Sequence, residues 1–237
     1  MAIPVMVAPE FVTEVPSTKQ QIKFRPFLVK EEKILFMALE GGDAIEIANA
    51  VRNVLRSCIL DEEFEVSGLA TFDIEYLFLQ LRSKSVGEVI ELNLRHPENS
   101  ECKHVTEYGI NVDDIKVVFP QDVTNTVMVT DTVGLKLNYP SLESLKKAEK
   151  FESVSMDAVI DLIAEHVECI FDQENVFDQF TKQEVVEFIE SLNSNQFKEL
   201  TNFFNNAPEL KHEINWTCSA CNKEERIVLR GLQSFFI

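Results

Sequence analysis

The sequence predicts an α+β protein that combines helices with two β-hairpins and has a mainly helical second half. Apolar residues recur at three- and four-residue spacing over much of the chain, which is typical of helices with one buried face. Residues 88–112 and 211–231 differ, because apolar and polar residues alternate on both sides of a polar turn, as in half-buried strands. Each of these turns contains cysteine, so the two hairpins are predicted to be knuckle-like.

The same patterns divide the chain into four predicted segments. Pro4, Pro9 and Pro16 fall in the first stretch, which has neither a helical nor a strand period and is therefore predicted to run extended. The four segments are an extended N-terminal arm at residues 1–20, an α+β domain at 21–140 that contains the hairpin at 88–112, a helical region at 141–210, and a C-terminal hairpin at 211–237. We expect the C-terminal hairpin to pack back on the first one.

Three helices are predicted before the first hairpin. Residues 30–40 form the first helix, which ends at a Gly-Gly pair, and Asp43 can then cap the second. The second helix carries an apolar stripe that includes Cys58, so we predict this cysteine to be a core residue. Thr71 can cap the third helix.

Two further strands and the start of the helical region follow the first hairpin. Residues 126–129 and 134–139 have strand character on either side of a short polar turn. Helical spacing returns after them, and a helix is predicted to begin at Ser141 or Ser144.

Capping residues indicate the remaining helices. Ser155 can cap a helix whose apolar spacing continues through Ile170, and Thr181 with Glu184 has the pattern of a capping box. Phenylalanine recurs at helical spacing in the last helices, which favours a core role for these rings.

Composition and charge exclude several classes of function. The chain has 237 residues, and its 40 acidic and 22 basic side chains give a formal net charge of −18. This charge repels phosphate backbones and anionic membranes, so neither nucleic acid nor a membrane is an expected partner. No apolar run approaches the ~18 residues that span a bilayer, and the N-terminus lacks the basic stretch of a signal peptide. Five cysteines in different contexts argue against a secreted disulfide framework and favour a cytosolic protein.

The cysteine-containing turns supply the candidate metal ligands. Cys218 and Cys221 form a C-x-x-C turn between two predicted strands, a spacing that places two thiolates on one side of a tight loop. Cys102 and His96 lie in or beside the other turn, with His104 as the alternative to His96, and together they meet the ligand count of a Cys3His zinc site. The sequence establishes no cofactor, and a structural zinc ion is the one that it indicates.

Two other interpretations of the C-x-x-C turn stay open. The two thiols can simply be reduced side chains of a tight turn, because the first turn lacks a second C-x-x-C. They can also be the site of a thiol oxidoreductase, although such sites place the cysteines at a helix N-terminus and strand-like residues follow here.

No catalytic residues are predicted. The acidic pairs lie apart from any predicted nucleophile, and no Ser/His/Asp or Cys/His arrangement can be assembled. With 7 glycines the chain has no phosphate-binding loop, and residues 172–178 lack the glycine of an EF-hand. We therefore expect a protein that is not an enzyme.

The order of several motifs resembles the baseplate proteins of T4-type tailed bacteriophages, a family that includes a hub subunit and a hub-assembly factor. The motifs are Phe24-Arg-Pro-Phe27, the stretch from Asp73 to Glu88, and the sequence from Phe203-Phe204 through the C-x-x-C turn to the Phe235-Phe236 pair. They extend over nearly the whole chain.

This resemblance implies a non-enzymatic structural or assembly component of the baseplate hub of a contractile-tailed phage. Such a protein would bind other hub and tail proteins, would allow assembly in several copies, and would be located in the tail baseplate of the virion after assembly in the host cytoplasm. The family resemblance leads us to expect cysteine pairs in both hairpins, whereas this chain has His96 and Cys102 in the first. The expected contact segments are Val5 to Phe11 and the terminal Phe235-Phe236-Ile237.

Two alternatives to the hub protein remain. The C-x-x-C turn and the acidic charge are also compatible with a zinc-ribbon-like adaptor that binds a host or phage protein. A thiol oxidoreductase is the less favoured alternative, since it requires a depressed pKa at one of the two thiols.

Overall fold

Helices of nine to fifteen residues alternate with short antiparallel strands along the chain. The computed structural model describes residues 7–97, 100–120, 124–141, 144 and 155–235, and these contain six α-helices and eleven strands, which confirms the α+β class. The helices are α1 (Val29–Gly41), α2 (Ala44–Cys58), α3 (Thr71–Ser85), α4 (Met156–Ala164), α5 (Lys182–Glu190) and α6 (Ser194–Asn205). The strands are β1 (Phe11–Glu14), β2 (Gln21–Phe24), β3 (Val89–Arg95), β4 (Val105–Asn111), β5 (Lys116–Val118), β6 (Thr126–Met128), β7 (Gly134–Leu137), β8 (Val167–Phe171), β9 (Val176–Phe177), β10 (Glu209–Thr217) and β11 (Glu224–Arg230).

The chain divides into two units whose boundaries differ from the predicted segments. Unit 1 comprises Met1–Ser67, Phe72–Val118 and Glu209–Ile237, and unit 2 comprises Gly68–Thr71 and Phe119–Pro208. The C-terminal hairpin therefore belongs to the same unit as the hairpin at 88–112.

Unit 1 contains three small antiparallel sheets. Strand β1 pairs with β2, β3 pairs with β4, and β10 lies between β11 and β5. Both predicted knuckle hairpins are therefore confirmed as hairpins. The predicted N-terminal arm is partly a strand, since Phe11 in β1 is opposite Phe24 in β2, whereas residues 1–6 lie outside the described part of the chain.

Helices α2 and α3 supply much of the core of unit 1. The carboxylate of Asp43 accepts hydrogen bonds from the amides of Ile45 and Glu46, so the predicted cap of α2 is confirmed. Cys58 is fully buried, as predicted for a core residue. The buried residues of these two helices include Val51, Val54, Leu55, Phe72, Leu77, Phe78 and Leu81.

In the described part of unit 2, three helices pack against a four-stranded antiparallel sheet in the order β6-β7-β8-β9. The pairing of β6 with β7 confirms the two strands predicted after the first hairpin. Ser155 caps α4, and Thr181 forms a capping box with Glu184 at α5, both as predicted. The apolar core includes Leu135, Leu137, Ile160, Ile163, Val185, Ile189, Leu200 and Phe203.

Two local predictions in unit 2 are wrong. The helix capped by Ser155 ends at Ala164 instead of continuing through Ile170, because Val167–Phe171 forms strand β8 beside β7. Its β-branched and aromatic residues favour a strand, and the ladder to β7 satisfies its backbone groups. Thr71 does not cap α3 either, since the helix begins at this residue and its hydroxyl donates to the carbonyl of Pro140.

The region that was expected to be mainly helical therefore also contains β8 and β9. The helix predicted to begin at Ser141 or Ser144 would extend over residues 145–154, which lie outside the described residues.

Candidate metal centre

The turns of two hairpins in unit 1 bring four potential metal ligands together. His96 follows the last residue of β3 and Cys102 precedes β4, so both lie in the turn that joins these strands. Cys218 follows β10, and Cys221 lies in the turn before β11. Each turn thus contributes two ligands.

The distances among the four donor atoms are those expected around a single ion. All four atoms lie within 4.8 Å of one another. The Sγ atoms of Cys102 and Cys218 are 3.9 Å apart, and Nε2 of His96 is 3.3 Å from Sγ of Cys221. Ligands about 2.3 Å from a tetrahedral zinc ion are separated by about 3.8 Å, so one ion can contact all four.

The C-x-x-C turn is held by its own backbone. The amide of Cys218 donates to the carbonyl of Lys223, and the amide of Asn222 donates to the carbonyl of Cys218, both at 2.9 Å. Asn222 follows the second cysteine and has a φ of 53°, a left-handed conformation that asparagine tolerates better than most residues. This closed turn directs both thiols to the same side.

The electrostatics of the cluster favour a thiolate at Cys218. A hydrogen bond from the amide of Cys221 lowers the pKa of the Cys218 thiol to about 5. Burial opposes this shift, whereas the amide of Ala220 and the His96 ring add to it. The amide of Lys223 lowers the pKa of the Cys221 thiol, but burial and the thiols of Cys218 and Cys102 raise it, and the net shift is upward. A second thiolate this close to Cys218 is disfavoured unless a positive charge compensates the repulsion.

The ring of His96 is held in place by residues of the other hairpin. Its side chain is fully buried, and its Nδ1 lies 3.1 Å from Oε1 of Glu225. The ring also packs on Trp216, with 5.2 Å between ring centroids. When Nδ1–H donates to the Glu225 carboxylate, Nε2 is left with its lone pair directed at the thiols, which is the tautomer that a metal requires.

The structure brings together Cys218, Cys221, Cys102 and His96, the ligand set indicated by the sequence. His104, the alternative to His96, is not part of the cluster, because its Nε2 pairs with Oγ of Ser219 at 2.8 Å. The metal itself stays a prediction.

Sequence reasoning missed the two residues that hold His96. Trp216 and Glu225 face each other across β10 and β11, so they become neighbours only when the strand register is known. The alternation of β11 alone gives Glu225 the appearance of a solvent-facing residue.

The remaining cysteines lie elsewhere, and all five are free. Burial raises the pKa of the Cys58 thiol to about 11, which makes it unreactive. Cys169 lies in β8 of unit 2. The C-x-x-C turn stands between two strands, so neither of its thiols has the helix N-terminus on which thioredoxin-like chemistry depends.

Among the helices of the described residues, none is long and apolar enough to cross a membrane. The fold and the site together define an α+β protein with a thiol-and-imidazole cluster of the kind found in structural metal sites.

The T4 bacteriophage base plate protein family matches residues 8–237, nearly the whole chain. The chain therefore belongs to this family, which confirms the resemblance seen in its motifs. It is a structural baseplate protein of the phage tail and associates with other tail proteins. Comparisons with curated proteins and with solved structures gave no match.

Proposed function

We propose that this baseplate protein belongs to the central hub and acts without catalysis by binding other hub and tail proteins. The family supports a baseplate role, and the motif order resembles that of its hub members. The observation that favours a binding role is an apolar surface on α1.

Helix α1 exposes large apolar side chains that a helix of a monomeric protein would normally bury. Val29 is 79% exposed, Met37 63% and Phe36 59%. We define the α1 surface as the exposed apolar residues Leu28, Val29, Ile34, Phe36, Met37 and Leu39.

The inner side of α1 has two buried residues, one charged and one apolar. Glu31 is buried and pairs with Arg25 at 3.0 Å, while its other oxygen accepts from the amide of Leu28 at 2.8 Å. Leu35 is the other buried residue of this helix. Because a buried ion pair fixes the helix from within, the outward direction of Phe36 and Met37 is set by the fold.

The occupant that we propose for the α1 surface is a neighbouring baseplate hub protein. Apolar side chains of this size dominate the energetics of protein interfaces when they are covered. The net charge of −18 favours a partner with a positively charged rim, which would steer the encounter.

Co-expression with the hub and tail proteins of the phage tests the proposal. The affinity-purified full chain is expected to retain hub proteins, identified by mass spectrometry. The double substitution Phe36→Ser and Met37→Ser is expected to reduce their recovery at least about 10-fold, since two central apolar contacts are lost.

A matched control is available in unit 2. Val176 and Phe177 are also adjacent and exposed, at 67% and 51%, so Val176→Ser with Phe177→Ser likewise replaces two large apolar side chains on another surface. Equal recovery of hub proteins with both double variants would contradict the role of α1. Recovery of an RNA polymerase instead of tail proteins would replace the hub proposal by the adaptor alternative.

The terminal segments remain proposed contacts of the same kind. Val7 is 91% exposed, whereas Val15 is buried and Ser17 bonds to Asp73, so a truncation must stop before β1 to preserve the fold. Removal of residues 1–7 is expected to weaken hub recovery without a change in circular dichroism. Unchanged recovery would exclude a contact through residues 1–7. Residues 236–237 at the other end lie outside the described part of the chain.

A further inference from the structure

We propose that His96, Cys102, Cys218 and Cys221 bind one structural zinc ion that joins the turns of the β3–β4 and β10–β11 hairpins. The ligands come from distant parts of the sequence, since Cys102 and Cys218 are 116 positions apart. The two hairpins lie in separate sheets, and among the described residues no strand pairing joins their turns. An ion bound to all four side chains would join them directly.

The ligand set favours zinc over other ions. Three sulfur atoms and one imidazole nitrogen in a tetrahedral arrangement are typical of zinc, whereas magnesium and calcium require oxygen ligands. Iron–sulfur clusters are most commonly held by four cysteines, whereas this site has three cysteines and one histidine.

A comparison of two buried cysteines in unit 1 indicates that the thiols of the cluster are not simply core side chains. Cys218 is as fully buried as Cys58. Cys58, however, lies among Leu55, Leu77 and Leu81, as a small apolar residue would. Cys218 instead faces a second thiol and an imidazole, which are metal ligands rather than apolar neighbours.

The pair of His96 and Glu225 gives the site an outer layer of support. Metal-bound histidines usually donate their second ring N–H to a carboxylate or a carbonyl, which fixes the ring and its tautomer. Glu225 has this position at 3.1 Å, and it also pairs with Lys223 at 2.6 Å. The imidazole is therefore oriented for binding by contacts outside the ligand set.

The site has the properties of a structural centre. Four protein ligands complete a tetrahedral shell and leave no position for a reacting water molecule. Cys221 is exposed and Cys102 is partly exposed, so the ion can reach the site from solvent. This inference is independent of the hub proposal, since it concerns how unit 1 is held together.

The first test is the metal content of the purified full chain. The protein would be produced in zinc-supplemented medium, freed of any polyhistidine tag, and analysed by inductively coupled plasma mass spectrometry. We expect about one zinc per chain. A folded chain with less than about 0.1 zinc per chain would overturn the proposal.

Single substitutions test the ligand set. Cys218→Ser and His96→Ala are expected to lower the zinc content at least about 10-fold. Cys169→Ser and His104→Ala are the matched controls, because they remove the same groups outside the cluster, and both should retain zinc. Equal zinc loss in the controls, or none in the cluster variants, would refute the assignment.

X-ray absorption of the native chain keeps the test decisive if the variants fail to fold. The zinc edge is expected to show three sulfur ligands at about 2.3 Å and one nitrogen at about 2.0–2.1 Å. A shell of nitrogen and oxygen alone would overturn the proposal. Glu225→Gln should retain this shell but weaken zinc affinity about 10–100-fold in competition with a chromophoric chelator.

Discussion

The two units of this protein are stabilised in different ways. Unit 2 has one continuous apolar cluster built from its four-stranded sheet and three helices. Unit 1 distributes its strands over three small sheets and buries the polar side chains of Glu31, Asp73 and His96. Unit 2 also buries His166 and Ser144, but none of its described carboxylates is buried. The difference indicates that unit 2 depends mainly on apolar burial, whereas unit 1 also depends on buried carboxylates with specific partners and, as we propose, on zinc.

Removal of zinc should have the largest effect, and this effect should be confined to unit 1. Chelation is expected to increase hydrogen exchange at least about 1,000-fold in the β3–β4 and β10–β11 turns, because ligand binding and folding are coupled in structural zinc sites. Strand β7 and helix α6 of unit 2 should exchange at the same rate as before. Hydrogen exchange with mass spectrometry measures both regions in one experiment.

Re-addition of zinc provides the control for this prediction. Protection of the two turns should return with zinc and not with magnesium, which prefers oxygen ligands. An equal increase of exchange in both units would mean that the contrast between them is wrong.

A cavity in the core of unit 2 should destabilise unit 2 and leave the zinc site of unit 1 unchanged. Leu135 is fully buried in the apolar cluster, so Leu135→Ala is expected to destabilise unit 2 by about 3 kcal/mol through lost burial and the cavity left behind. Exchange of the slowest amides in β7 and β8 measures this loss, and the zinc content should stay unchanged. Val176→Ala on the exposed edge strand is the control and should cost less than about 0.5 kcal/mol.

A buried carboxylate with two hydrogen bonds should contribute measurably to the stability of unit 1. The buried carboxylate of Asp73 accepts from the amide of Ser17 at 2.9 Å and from its hydroxyl at 2.5 Å. Asp73→Ala leaves both donors without this acceptor and is expected to cost about 2–3 kcal/mol in urea unfolding. Ser17→Ala removes one donor alone and should cost about 1 kcal/mol. Similar losses for the two variants would show that the carboxylate contributes little beyond one hydrogen bond.

The sequence alone was sufficient for elements with strong local signals. Asp43, Ser155 and Thr181 cap their helices because their short side chains reach nearby amides, which depends on neighbouring residues alone. The alternation in the two hairpins likewise reflects a local choice between a buried and an exposed face. Strand β8 was mistaken for helix because its apolar spacing fits both periods, and only its pairing with β7 decides between them.

The ligands of the candidate site were predictable from the sequence, whereas the residues that support them were not. The residue types at the two turns indicated the four ligands, but the choice of His96 over His104 required the partners Glu225 and Ser219. Glu225 itself could not be found, because its role depends on the register between β10 and β11. The apolar surface of α1 was also missed, since its helical pattern does not show which side faces the core.

The smallest predicted effect concerns the carboxyl group of Glu75 in unit 1. It accepts a hydrogen bond from the amide of Leu232 at 3.0 Å. Burial raises the pKa of Glu75 above its ordinary value of 4.5. The hydrogen bond from Leu232 opposes this shift, and the negative charge of Glu209 adds to it. Because the folded chain then holds the proton more tightly than the unfolded chain, its stability falls as pH rises from 4.5 through the raised pKa.

Glu75→Gln retains the acceptor for Leu232 and removes this titration. The variant should therefore gain stability relative to the native chain as pH rises above 4.5, and the gain should level off once the native carboxyl is ionised. Urea unfolding of both chains across this pH range measures the difference in their free energies of unfolding. The titration of the groups that both chains share cancels in this difference. If the difference between the Glu75 variant and the native chain were independent of pH, burial of this carboxyl would not be among the polar constraints that distinguish unit 1 from unit 2.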